Sequence, residues 1–65
     1  MNIQKIMDSY YNGNLQQMVN QIKEYGLYSF WYDLKRYLED NINNIQEIYN
    51  IFTEITIVYN RITNR

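Results

Sequence analysis

Residues 45–62 read IQEIYNIFTEITIVYNRI, and they decide between two folds. The inner run Glu54-Ile55-Thr56-Ile57-Val58-Tyr59 is rich in β-branched residues and alternates, as a strand would. Over the whole stretch a different period dominates. Ile45, Ile48, Phe52, Ile55, Tyr59 and Ile62 recur at spacings of 3, 4, 3, 4 and 3 residues, a heptad-like seam. Ile51 and Val58 widen it to about half of a helix surface. Asn44 followed by Glu47 matches a capping box, and Arg61 and Arg65 lie where cations favour a helix dipole. No second strand-like segment is available as a partner. The stretch is therefore expected to be a helix, the longest in the chain.

Working back toward the N-terminus, the punctuation comes from Gly and Asn, because there is no Pro. Asn41, Asn43 and Asn44 separate the long helix from what precedes it. Gly26 follows Lys23-Glu24-Tyr25 at a good helix-terminating position, and Gly13 lies inside a Tyr-Asn-Gly-Asn turn signal. Three breaks leave three further segments. Residues 2–11 carry Ile3, Ile6, Met7 and Tyr10 on one helical stripe. Residues 15–25 carry Leu15, Met18, Val19 and Ile22, with Asn14 and Gln17 in a capping-box pattern. A third helix is expected to start near Tyr28 or Ser29 and end near Asp40.

That third segment begins Gly-Leu-Tyr-Ser-Phe-Trp-Tyr and is crowded with rings. At about 100° per residue, Leu27, Phe30, Trp31, Leu34, Tyr37 and Leu38 share one face. Tyr28 and Tyr32 fall on the opposite, polar side with Lys35 and Glu39. Phe30, Tyr37 and much of Trp31 are thus expected in the core. Tyr28, Tyr32, Lys35 and Glu39 are the expected partner-binding residues, because Tyr offers a large amphipathic contact area at low entropic cost. The expected architecture is all-α: one domain, residues 1–65, a compact bundle of about four short helices with the last as its spine.

The composition narrows the function. Sixty-five residues support a single, marginally stable core. With no Cys and no His, disulfides, the usual zinc sites, catalytic triads and thiol nucleophiles are excluded. Two glycines do not make a phosphate-cradling loop. Glu47 and Glu54 share one side of the last helix, but that side reads as a solvated face. No enzyme, cofactor or metal is expected. A net charge of −1 gives neither the basic patch of a nucleic-acid binder nor the acidic density of a DNA mimic. No apolar run reaches the roughly 18 residues of a membrane span, and no leader pattern is visible.

The expectation is a non-catalytic protein–protein interaction module in the cytoplasm of a bacterial host, with a protein partner of unknown identity. Asn and Ile occur ten times each and Tyr eight, residues favoured by AT-rich codons. Small size and this bias suggest a phage or mobile-element accessory protein that inhibits a host enzyme or defence complex, as anti-CRISPR proteins do. The surplus apolar width of the last helix suggests self-association through Ile51, Ile55, Val58 and Ile62. The alternative is a small dimeric DNA-binding regulator built from residues 15–38 as a helix-turn-helix, with Lys35, Arg36 and Tyr32 toward the nucleic acid.

Overall fold

The computed structural model describes residues 2–64. These form four α-helices in sequence: α1 (Ile3–Tyr11), α2 (Leu15–Tyr25), α3 (Leu27–Asn41) and α4 (Ile45–Thr63). The last is the longest, and no strand occurs among the described residues. Arg65, expected to complement the dipole of α4, lies outside them; Arg61 occupies the last turn.

Local chemistry sets each boundary. The Asn2 side chain accepts from the Lys5 amide at 3.1 Å and starts α1. Gly13 ends it with φ +78. The Gly13 amide donates to the Tyr10 carbonyl at 3.2 Å and the Asn14 amide to the Ser9 carbonyl at 2.9 Å, the paired bonds of a Schellman motif. Asn14 makes no side-chain cap on α2, so the expected capping box there does not form. Gly26 alone joins α2 to α3. Its amide donates to the Ile22 carbonyl at 3.0 Å, and its carbonyl accepts from Phe30 at 2.8 Å. With φ +101 and ψ 124 it ends one helix and begins the next, so α3 starts at Leu27, earlier than the sequence suggests. Asn44 caps α4 by accepting from the Gln46 and Glu47 amides at 2.9 and 3.3 Å.

The β-branched run is helical. Ile55 is fully buried whereas Ile57 is 48% exposed; a strand would put both on one face. Thr53 and Thr56 donate their hydroxyls to the Tyr49 and Phe52 carbonyls at 2.9 and 2.8 Å, which satisfies these side chains within the helix.

The core is drawn from all four helices: Ile6 and Met7 of α1, Met18, Val19 and Ile22 of α2, Phe30, Leu34 and Leu38 of α3, and Ile51 and Ile55 of α4. Three expectations need correction. The central helix is α2, not α4, because the α2 backbone lies against all three others. The core-facing stripe of α4 is also rotated. Ile51 and Ile55 are buried, Val58 and Ile62 pack half-buried against the core, and Ile45, expected in the seam, points out. Leu27, assigned to the core face of α3, is likewise exposed, and Trp31 and Tyr37 are half-buried.

Three tyrosine hydroxyls tie the periphery together. Tyr10 donates to Glu54 and so links α1 to α4. Tyr25 donates to Asp33, linking α2 to α3, and Tyr37 donates to Gln4 Oε1 at 2.9 Å, linking α3 to α1. Burial, reinforced by the bond to Glu54, pushes the Tyr10 hydroxyl well above its ordinary range. The bond to Asp33, with lesser burial, raises Tyr25.

Candidate interaction surface

The backbones of α3 and α4 approach each other less closely than either approaches α2. Side chains bridge the gap. Trp31 stacks on Phe52 at 6.0 Å with a 26° interplanar angle, and its other neighbour is Phe30, edge-on at 5.0 Å. Beyond this stack the gap stays open as a groove of about 660 Å³. Lys35 and Glu39 form the α3 side, Ile42 and Asn43 the turn, and Ile45, Ile48, Tyr49 and Phe52 the α4 side. The floor and one wall are apolar, and the other wall carries one charge of each sign.

The four residues expected to bind a partner lie on one exposed row of α3. Tyr28 is 92% and Tyr32 68% exposed, and Lys35 and Glu39 continue the row into the groove wall. Across the groove, Ile45 is 83% and Tyr49 70% exposed. The surface therefore holds an outward ring and an aliphatic side chain lining an apolar cleft, and two more outward rings further along the α3 row, on a molecule with only 4617 Å² of accessible surface.

The other expected row is divided. Ile51 and Ile55 are buried in the core of the single chain, and Val58 and Ile62 lie half-buried against it. The sequence signal for surplus apolar width on α4 was real, but it has another cause. Ile45, Ile48, Tyr49 and Phe52 make a second stripe, rotated about 100° from the core-facing one at helical periodicity. Treating both as one wide seam hid Ile45 and Tyr49, and the turn residues Ile42 and Asn43 gave no periodic signal at all.

Elsewhere, a polar cleft of about 320 Å³ lies between α1 and α2, lined by Lys5, Asp8, Ser9, Asn12 and neighbours. Its buried member, Ser9, donates to Gln21 Oε1 at 2.7 Å and is structurally employed. Glu54, one of the two carboxylates sharing a side of α4, accepts from Tyr10. Among the described residues, no group of three or more acidic side chains is placed to hold a metal ion, and no helix is long and apolar enough to cross a membrane. Comparison with known proteins gives no matching family model, no matching curated protein and no matching solved structure.

Proposed function

We propose that this chain is a non-catalytic protein-binding module whose recognition surface is the α3–α4 groove with the Tyr28–Tyr32 row beside it. One observation carries the reading: an open apolar cleft is lined by exposed Ile45 and Tyr49, and the α3 row that forms its other wall continues to exposed Tyr32 and Tyr28. Leaving so much apolar surface in water is costly at about 25 cal/mol per Å², and patches of this kind on small proteins mark interaction sites. Exposed tyrosines around a cleft match the anchor-and-pocket composition of binding hot spots. The target is a protein of a bacterial host, an enzyme or defence complex whose activity is blocked when this surface docks on it. Small size and AT-biased composition support a phage or mobile-element origin.

The test is affinity capture from host lysate with the parent and two variants, Tyr28→Ala/Tyr32→Ala and Tyr49→Ala. All these positions are exposed, so folding is retained. The reading expects the same captured protein to disappear with both variants. Capture indifferent to both would refute it. Binding to random-sequence duplex that weakens steeply with salt would point instead to a DNA-binding regulator.

A further inference from the structure

We propose that in the free protein the α3–α4 face is covered by a second copy of the chain, packed about a two-fold axis with the two α3 helices antiparallel. The inference rests on the reading of this face as a protein-binding surface, and it follows from residue order along α3. In a two-fold interface residue i meets residue j and j meets i. Lys35 and Glu39 are one turn apart in the same exposed row and carry opposite charges. With the axis at the level of Tyr37, each Lys35 meets the Glu39 of the other copy, so two attractive pairs form at once. A parallel arrangement would set Lys35 on Lys35 and Glu39 on Glu39.

The same register accounts for the apolar residues. Positions that sum to the same total as 35 and 39 face each other, so Tyr32 falls opposite Ile42 in the turn. Tyr28, one turn further out, reaches past the end of the other α3 toward the start of α4, where Ile45 is exposed beside the groove. Each copy thus lays its outward rings on the apolar side of the other's cleft. Four large side chains at the exposures found here offer on the order of 500 Å² per copy. The Lys35 and Glu39 stems and Ile42 extend this toward the roughly 800 Å² per partner of a stable interface. A host target that docks on the face displaces the second copy, so self-association and target binding compete.

Sedimentation velocity of the full chain from micromolar to millimolar concentration tests this, with Lys35→Glu and Glu39→Lys studied singly and mixed in equal amounts. Both positions are exposed, and unchanged circular dichroism confirms folding. The parent is expected to pass from monomer to dimer mass. Each single variant places like charges at both symmetry-related contacts and weakens the dimer roughly tenfold. Mixing the two restores the dimer, because both carboxylates of one copy then face both cations of the other. Monomer mass for the parent throughout overturns the second copy and leaves the host-target reading standing. A parent dimer unchanged by either single reversal overturns the antiparallel register. Charge-sensitive dimers together with host capture that ignores this face would keep the dimer and refute the target reading.

Discussion

Ile55 and Ile57 sit two positions apart in a run that could alternate, and the structure assigns them opposite fates. Ile55 is 0% exposed in the core and Ile57 is 48% exposed. Ile55→Ala removes three buried carbons, worth about 0.8 kcal/mol each or about 2.4 kcal/mol together. The residual cavity adds to this, and the measured range for such truncations is about 2–5 kcal/mol. A core of this size rarely supplies more than about 3–5 kcal/mol in total. The variant should therefore be largely unfolded or close to it at room temperature. Ile57→Ala removes the same atoms from a half-exposed position, and Ala is the better helix former by a few tenths of a kcal/mol. Its net change should stay within about 0.5 kcal/mol. Urea titration followed by far-ultraviolet circular dichroism reads both midpoints. Equal destabilisation would mean that the two side chains share an environment, as in a strand, and the helical phase of α4 would be wrong.

Other expectations are as specific. Gly26→Ala should cost about 1–3 kcal/mol, because φ +101 with ψ 124 is a backbone region that L-residues avoid. Gly13→Ala should cost less, about 1–2 kcal/mol, since φ +78 lies nearer the left-handed well and no atom stands within 4 Å of an added Cβ; paired thermal melts would rank them. Tyr28→Ala/Tyr32→Ala should change the unfolding free energy by no more than about 0.5 kcal/mol per site, and a large drop in melting temperature would show that these rings belong to the core. The Tyr10 and Tyr25 hydroxyls are raised in the folded chain, so their stabilising contribution is complete below the ordinary tyrosine pKa of about 10 and is lost as pH rises past it. Denaturation midpoints should fall through that alkaline window, and Tyr10→Phe should flatten the fall. A slope unchanged by Tyr10→Phe would remove the link to Glu54.

The helices were legible because apolar spacing and Asn or Gly punctuation agree. Met18, Val19 and Ile22 recur at helical spacing and are buried, and Leu34 and Leu38 do the same. Asn44 announced α4 and caps it. The exposed row Tyr28, Tyr32, Lys35 and Glu39 was legible for the same reason, since period fixes which residues share a face. What period cannot give is the phase of a helix with two apolar stripes. On α4 every angle from Ile45 to Val58 has a hydrophobic candidate, so the choice of core stripe depends on where α2 sits, which is a tertiary fact. The groove was hidden for that reason. It is made by the spacing between two helices, and two of its residues lie where the chain turns. The missing cap at Asn14 is a smaller case: the Schellman turn at Gly13 already sets the chain direction there.

The position of α2 at the centre also bears on the cooperativity of binding. α4 is held mainly by its contacts with α2, and toward α3 it offers the Trp31–Phe52 stack. One whole wall of the cleft belongs to α4, so the surface exists only in molecules whose last helix is docked. Local opening of a single helix needs less free energy than global unfolding, and apparent affinity scales with the fraction of competent molecules. A change at the far side of α4, such as the loss of the Tyr10–Glu54 bond, would then weaken association without touching the interface. Amide exchange along residues 45–63, measured beside affinity, would show the two moving together.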